Sequence, residues 1–286
     1  MTERRDISAF AMLAIFWGLN YPMLKVAFYY EPPLFTLLFR IIFAMVFAAI
    51  IFWKDIVFPR TLKAHGIMLT VSILNISLFM GLWFIGESYV SASLSSVLVY
   101  SYPLFNVLLS SIFLRDRPSG MGIIGLIVGF AGLFIISDSN FTGSLGFGII
   151  LLILSAVCWA AGTVFFKRFA RDIPLATVNV FQYVYSLPVI MVFAFILEGN
   201  RIIALQPGFI LVTLYLGTFG TAFAYYLYLH LFRRYRVSSI SSYFFLVPAV
   251  SIVLSAAILR EGLSLVSYAG FAVISVGIFF SAKGSS

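Results

Sequence analysis

Several apolar stretches of this chain carry amide, hydroxyl and aromatic side chains at helical spacing, a pattern that suits the binding of a small molecule. Asn179, Gln182 and Ser186, for example, share one face of a helix. Polar side chains in such surroundings are costly when they face lipid, so these faces should point into the protein. Amide and hydroxyl groups between aromatic walls could then hold a ligand. The candidate substrate-binding residues are Trp17, Asn20, Asn75, Tyr100, Trp159, Gln182 and Tyr225.

The same residue types also form hydrogen bonds between membrane helices without binding any ligand. For a single serine on one of these faces, this second interpretation explains the sequence as well as the first. The candidates are therefore restricted to amides and aromatic residues.

Two prolines at matched positions, Pro103 and Pro248, could act as hinges beside this binding surface. A proline inside a helix removes one backbone hydrogen bond and frees a carbonyl group one turn earlier. In an apolar stretch, the freed carbonyl must face a cavity or another polar group. A static kink that only shapes packing is the alternative, and the sequence leaves both open.

The sequence lacks the residue patterns of catalysis. It has no phosphate-binding loop, no cluster of metal ligands and no nucleophile with triad spacing, and its two histidines, His65 and His230, lie near predicted helix ends. The single cysteine, Cys158, has no partner for a disulfide. We therefore expect no metal site, no cofactor and no enzymatic activity.

Composition places the chain in a lipid bilayer. Of its residues 62% are hydrophobic and 10% are charged, whereas soluble proteins carry roughly 25% charged residues. Apolar runs long enough to cross a bilayer recur along the whole chain. They predict an all-α integral membrane protein with ten transmembrane helices, at about 7–29, 34–53, 66–86, 92–113, 120–137, 146–166, 177–197, 208–230, 238–258 and 264–282.

The basic residues indicate the orientation of these helices. With the N-terminus in the cytoplasm, fourteen lysines and arginines fall in inner loops and two, Arg201 and Arg260, fall in outer loops. This bias follows the positive-inside rule and predicts cytoplasmic termini in a bacterial plasma membrane. The net charge of +8 is thus explained by topology, and we expect no nucleic-acid partner.

The chain contains an internal repeat. Residues 81–136 resemble residues 222–280, and matched residues such as Pro103 and Pro248 lie 145 positions apart. The pair Trp17 and Lys25 recurs as Trp159 and Lys167 at an offset of 142. Five helices per copy is an odd number, so the second copy must enter the membrane from the opposite side. The sequence therefore predicts two inverted repeats, residues 1–140 and 141–286, a design typical of transporters.

The repeat ends resemble a known family. Each has a proline, a Leu-Arg-acid triplet and two glycines, and the chain opens with Trp17-Gly18-Leu19-Asn20: Pro103, Leu114-Arg115-Asp116, Gly125 and Gly132 in the first copy, and Pro248, Leu259-Arg260-Glu261, Gly270 and Gly277 in the second. This pattern is similar to the EamA repeat of the drug/metabolite transporter superfamily, although Asp116 stands where glutamate is usual. The resemblance implies export of small metabolites, and the aromatic content favours the bacterial aromatic-amino-acid exporters.

Four charged or aromatic residues near predicted helix ends could contact lipid headgroups or the outer surface. Lys25 and Arg40 are expected to extend toward lipid headgroups, with Arg40 alternatively pointing inward to attract a carboxylate. Trp83 is expected in an interfacial aromatic belt. Glu87 lies near the predicted outer surface, and no acidic residue falls at mid-membrane, which favours transport without proton coupling.

These observations predict a secondary carrier that exports amino acids, aromatic or otherwise neutral, by alternating access, as a monomer or weak homodimer. A proton-coupled exporter of drugs or of nucleotide or sugar derivatives from the same superfamily is the alternative. A membrane enzyme would need a nucleophile or metal cluster, and a channel would need a continuous polar pore. Neither pattern is found in the sequence.

Overall fold

The computed structural model describes residues 4–115, 119–140, 143–199, 205–237, 244, 246–260 and 264–283. Asp116 and Glu261, which carry part of the family resemblance, lie outside these residues. Within the described chain, all regular secondary structure is helical. The α-helices are α1 (Arg4–Phe28), α2 (Pro33–Ile51), α3 (Leu62–Ser72), α4 (Phe79–Tyr89), α5 (Ala92–Val99), α6 (Tyr102–Phe113), α7 (Gly120–Asn140), α8 (Gly143–Phe169), α9 (Leu175–Glu198), α10 (Pro207–Gly217), α11 (Ala224–Arg234), α12 (Leu246–Leu259) and α13 (Leu265–Lys283).

These helices account for the ten predicted spans. Seven described helical stretches are long and apolar enough to cross a membrane, and α7, α12 and α13 supply three shorter apolar stretches. Three spans consist of two α-helices each: α3 with α4, α5 with α6, and α10 with α11. The expected all-α membrane fold with ten helices is confirmed. Below, the end of the bundle that contains Arg4 is called the inner end, following the predicted orientation.

Local sequence explains where several helices begin. Pro33 and Pro207 occupy first-turn positions of α2 and α10, where the missing N–H of proline costs no intrahelical hydrogen bond. The side chains of Thr61 and Ser91 accept backbone hydrogen bonds at the starts of α3 and α5. Each of these side chains accepts a hydrogen bond from a backbone N–H group that has no partner within its own helix.

Two π-helical segments interrupt matched spans of the two halves. Ile73–Leu78 joins α3 to α4, and Thr218–Phe223 joins α10 to α11. The two segments are 145 positions apart, the offset of the sequence repeat. Single π-helical turns inside α-helices are frequent at functional sites, because they change the backbone hydrogen-bond pattern locally. The repeat therefore extends to an irregular feature of the backbone.

Helices of the two halves pack against each other across their interface. Helix α1, which opens the first half, packs against α12 of the second half, and α8, which opens the second half, packs against α6 of the first. Helices α7 and α13, which end the two halves, pack against each other. Each half therefore completes the core of the other, as expected for a fold in which the two repeats interlock.

Glycines allow the close contact between α7 and α13. A Cβ atom on Gly132 would lie 2.8 Å from the carbonyl oxygen of Gly270, and one on Gly277 would lie 2.7 Å from that of Gly125. Both distances are too short for a real side chain, so only glycine fits. The structure shows packing within one chain.

The repeated lysines cap matched helices. Lys25 Nζ donates to the carbonyl oxygen of Glu87 at 2.6 Å, and Lys167 Nζ donates to that of Phe232 at 2.6 Å. Glu87 and Phe232 are 145 positions apart and lie near the ends of α4 and α11. A cation near a helix C-terminus interacts favourably with its unpaired carbonyls. The expectation that Lys25 extends to the lipid headgroups is wrong, because the protein itself holds this amine.

Candidate functional site

A small closed cavity lies among helices of both halves. No lining residue is more than 4% exposed, and the cavity volume is about 10 Å³, which is room for one water molecule. Most of the lining side chains come from the middle of their membrane spans. They are Trp17, Tyr21, Arg40, Phe79, Met80, Trp83, Tyr100, Trp159 and Tyr225.

Aromatic rings form most of the cavity wall. Trp17 and Trp159, the repeated tryptophans, meet edge to face with their ring centroids 5.3 Å apart. Trp159 also stacks on Phe79, with centroids 4.6 Å apart, and on Tyr102, with centroids 3.8 Å apart. Because equivalent residues of the two repeats touch here, the cavity lies where the halves meet. We refer to the rings of Trp17, Phe79, Trp83, Tyr100, Trp159 and Tyr225 as the aromatic cage.

One backbone carbonyl accepts hydrogen bonds from three polar side chains beside this cage. The oxygen of Gly220 accepts hydrogen bonds from Trp17 Nε1 at 3.2 Å, Asn20 Nδ2 at 3.1 Å and Arg40 Nη2 at 3.2 Å. Gly220 is the third residue of the π-helical segment Thr218–Phe223. All three donors come from the first half of the chain. The irregular segment of the second half therefore anchors α1 and α2 of the first.

A close contact between a glycine and an asparagine occurs twice at the interface, once for each repeat. A Cβ atom on Gly220 would collide with the side chain of Asn20, and one on Gly162 would collide with that of Asn75. Asn20 and Gly162 are 142 positions apart, and Asn75 and Gly220 are 145 positions apart. The two repeats thus use the same pair of residues with the roles exchanged. Each asparagine fills the space left by the glycine that faces it.

Arg40 is the charged residue of the cavity wall, and it is completely buried. Its Nε donates to Thr221 Oγ1 at 2.6 Å, and its guanidinium carbon lies 5.2 Å from the ring centroid of Trp83. The sequence favoured an orientation toward the headgroups for this arginine. The structure shows that Arg40 points inward, so the favoured expectation is wrong.

The structure divides the predicted site residues into two groups. Trp17, Tyr100, Trp159 and Tyr225 line the cavity. The three amides are fully buried just outside the lining. The side chains of Asn20 and Gln182 donate to protein acceptors, whereas neither polar atom of the Asn75 side chain has a hydrogen-bond partner. Gln182 Nε2 donates to Asn179 Oδ1 at 3.1 Å, and the backbone oxygen of Asn75 accepts the hydroxyl of Tyr225 at 3.1 Å. Like Asn20, these amides support the cage in this conformation rather than line it.

Sequence reasoning missed Phe79, Met80 and Trp83 as lining residues, and it did not select Tyr21, which shares a helix face with Trp17 and Asn20. The expectation that Trp83 belongs to an interfacial belt is wrong, because it is 4% exposed and its Nε1 donates to Glu87 Oε2 at 2.5 Å. A signal was present, since Phe79, Trp83 and Glu87 are spaced four apart and share one helix face. Trp53, by contrast, is 66% exposed.

Pro103 does not kink a continuous helix. It is the second residue of α6, and the span is already interrupted at Tyr100 and Ser101, between α5 and α6. Proline is well tolerated in a first turn, so Pro103 marks the start of a new helix. Pro248 is the third residue of α12. The hinge role assigned to both prolines remains a prediction.

Side chains close the bundle toward its outer end. The carboxylate of Glu87 is completely buried and accepts hydrogen bonds from Trp83 and from Ser95 Oγ at 2.8 Å. Lys25 binds the backbone of the same residue. Although Glu87 lies near the end of its helix as expected, it is an interior group. We refer to Lys25, Trp83, Glu87 and Ser95 as the outer closure.

A different set closes the inner end. Asp6 accepts a hydrogen bond from the hydroxyl of Tyr235 at 2.5 Å and lies 3.6 Å from both His230 and Arg234. Phe10 and Phe244 meet edge to face with ring centroids 5.1 Å apart. Phe232, the counterpart of Glu87, lies 5.7 Å from Phe244. The inner closure is therefore partly aromatic where the outer closure has a carboxylate.

Comparisons with known proteins agree with this architecture. A model of the EamA-like transporter family matches residues 6–138 and again residues 146–282. The chain is 32% identical over 279 residues to the Bacillus subtilis (strain 168) protein named uncharacterized transporter YvbV, covering 97% of this chain and 92% of that relative. It is 25% identical over 293 residues to a Salmonella typhimurium (strain LT2) protein named probable amino-acid metabolite efflux pump, covering 99% and 96%.

A similarly named Escherichia coli (strain K12) protein is 24% identical over 293 residues, with the same coverage of 99% and 96%. A solved crystal structure has a TM-score of 0.68 at 16% identity and covers 98% of this chain and 97% of the other. At that identity the likeness concerns the fold alone.

Proposed function

Because this chain belongs to the EamA-like transporter family and is a multi-pass membrane transporter, we propose that it is a secondary carrier that exports aromatic and other neutral amino acids by alternating access. The observation that carries this proposal is the aromatic cage at the contact between the two repeats. Two relatives, which are 25% and 24% identical to this chain, are named probable amino-acid metabolite efflux pumps.

The size of the cavity supports a mechanism with separate loading and release states. Ligand sites occupy roughly 300–1,000 Å³, whereas the cavity measures about 10 Å³. In our proposal this conformation is the closed intermediate, and the cage widens when one closure separates. The cage opens inward when the contacts of Asp6 break, and outward when Glu87 leaves Ser95. Pro103 and Pro248, at or near the starts of α6 and α12, are the proposed hinges.

In the proposed site, the cage rings stack on the substrate side chain, and Asn20, Asn75 and Gln182 reorient toward it in the open states. Stacked and edge-to-face aromatic pairs contribute roughly 0.5–1.5 kcal/mol each. The repeat units are residues 1–140 and 141–286, and the protein functions as a monomer or a weak homodimer. The proposed location is the bacterial plasma membrane.

A counterflow screen in proteoliposomes tests the function. Vesicles loaded with one unlabelled amino acid should transiently accumulate the same labelled amino acid, with saturation, and nucleosides and cationic drugs should not give this result. Counterflow of only drugs or nucleosides would contradict the proposed substrates while leaving a carrier in place. A membrane enzyme would give no flux, and a channel would give flux without counterflow.

The orientation of the chain gives a second testable prediction. We expect both termini in the cytoplasm. A cysteine at exposed Gln206, in a Cys158→Ala background, should react with a membrane-impermeant thiol reagent added outside cells. A cysteine at exposed Lys63 should react only after the cells are permeabilised. The reverse pattern of labelling would invert the proposed topology.

Buried Glu87 supports a second candidate function, proton-coupled export, because transporters commonly use interior carboxylates as proton sites. We nevertheless expect transport without a proton gradient, since both Trp83 and Ser95 hold this carboxylate in the outer closure. With equal amino-acid concentrations inside and outside, an imposed pH difference should cause no net accumulation. Accumulation that follows the pH difference in the wild type and disappears in Glu87→Gln would establish proton coupling instead.

A further inference from the structure

We propose that Arg40 is the anchor for a carboxylate or an equivalent anionic group on the transported molecule. This inference rests on the proposed function and deepens it, because it specifies which chemical group a substrate must carry. The observations that support it are the burial of Arg40, its place in the cavity wall, the partners of its nitrogen atoms and the lack of an acid paired with it.

The guanidinium group is held in place but not fully satisfied. Its Nε donates to Thr221 and its Nη2 donates to the carbonyl oxygen of Gly220, both within the π-helical segment of the second half. Its Nη1 is buried and has no hydrogen-bond partner. A buried donor without an acceptor typically costs about 1–3 kcal/mol. An acceptor that a bound molecule supplied at this atom would therefore be favourable.

In the described part of the chain, the positive charge also has no carboxylate in direct contact, although Glu87 interacts with it electrostatically at longer range. Among the residues that the structure describes, no acidic oxygen lies within 4.0 Å of the Arg40 side chain. The carboxylate of Glu87, which lines the neighbouring outer closure, already accepts hydrogen bonds from Trp83 and Ser95. The rings of Trp83 and Phe84 lie over the guanidinium at 5.2 and 5.4 Å, which offsets only part of the desolvation cost.

Guanidinium chemistry matches one class of ligand best. Its planar donors bind carboxylates and other oxyanions with charge-assisted hydrogen bonds, and these are stronger in a site without water. An amine would instead bring a second positive charge to the cavity. We therefore infer that amino acids and organic acids enter the cage, and that cationic amines are rejected by repulsion from Arg40.

The position that corresponds to Arg40 in the other half of the chain carries no charge. Helices α2 and α9 follow Pro32 and Pro174, which are 142 positions apart like the repeated tryptophans, and this offset places Gln182 at the counterpart of Arg40. Gln182 is uncharged. One charged anchor in an otherwise paired site would orient every substrate in the same way, with its acidic group against α2 and its apolar part among the rings.

Binding of matched probes to the purified protein tests this inference. The probes are L-phenylalanine, 3-phenylpropionate, 3-phenylpropionamide and phenethylamine, which share an aromatic ring and differ in charge. The fluorescence of the cage tryptophans is the readout. We expect the two carboxylates to bind at least about 30-fold more tightly than the amide and the amine, the loss typical when a buried charge lacks its partner.

The variant Arg40→Gln should lose this preference, Arg40→Lys should keep part of it, and Arg60→Gln, which changes an exposed arginine, should behave like the wild type. The comparison of acid with amide in the wild type requires no variant, so it is decisive even if Arg40→Gln does not fold. Equal binding of acid and amide, or binding of none of the carboxylates, would overturn the inference.

Failure of this inference is distinguishable from failure of the proposed function. Counterflow of an amino-acid amide as strong as that of the amino acid would overturn the anchor but leave a carrier. Tight binding of 3-phenylpropionate without counterflow of any amino acid would support the anchor and contradict the proposed substrates.

Discussion

Replacement of Trp159 by alanine is expected to reduce saturable transport by about tenfold or more per folded protein, because a stacking wall worth roughly 0.5–1.5 kcal/mol per contact is lost from the cage. Trp159 lines the cavity and contacts Trp17 across the two halves. Its ring also packs against Phe79 and Tyr102, so the change should cost about 3–5 kcal/mol of stability as well. Counterflow must therefore be normalised to the folded fraction.

Two further variants separate these effects. Trp159→Phe keeps a ring in the cage and should fold better than the alanine variant while still transporting more slowly than the wild type. Trp53→Ala removes an exposed tryptophan outside the cage and should leave transport unchanged. Full transport by folded Trp159→Ala would show that the aromatic cage is only a packed core.

Exchanging Gly162 and Asn75 in two steps should first lower the stability of the protein and then restore most of it. Gly162→Asn places a second amide where Asn75 already fills the space, and we expect it to cost about 1–3 kcal/mol or more through overpacking. Adding Asn75→Gly should restore most of the loss, because the pair then resembles Asn20 and Gly220. The temperature of unfolding measured in detergent gives both values.

This double-mutant cycle tests a specific coupling. Gly66 provides the control, since a Cβ atom there would meet no atom within 4 Å, and Gly66→Asn should change the unfolding temperature little. If the double variant is as unstable as Gly162→Asn alone, the two positions are not packing partners in the protein.

The sequence predicted the helices and the repeat well because both depend on features that read directly from residue order. Apolar runs have the length that is needed to cross the bilayer. The duplication is visible in the pair Trp17 and Lys25, which recurs as Trp159 and Lys167. The π-helical segments could not be predicted. Their sequences, Ile73–Leu78 and Thr218–Phe223, contain no proline and have no pattern that distinguishes them from an α-helix.

The composition of the site was predicted only in part. Trp17 and Trp159 stood out because they repeat, but the position of Trp83 near a helix end suggested the membrane interface. Distance from a helix end does not tell which way a side chain points. The inward direction of Trp83 depends on Glu87, one helical turn away. That of Arg40 depends on the carbonyl oxygen of Gly220 and the hydroxyl of Thr221, which are distant in sequence.

The amides illustrate a related limit. Asn20 and Asn75 were predicted to face the interior, and both are fully buried. Periodicity could identify the buried face, but it could not distinguish a lining residue from one in the layer behind. That difference depends on the glycines opposite, Gly220 and Gly162, which leave room for each amide.

The accessibility of the cage from both sides of the membrane tests the central claim most directly. Met80 lines the cavity and is completely buried. In a Cys158→Ala background, Met80→Cys should react with a membrane-impermeant thiol reagent in right-side-out and in inside-out vesicles, and L-phenylalanine should change both rates. Reaction from one side only under all conditions, or from neither side in a protein that still transports, would contradict alternating access through this cage.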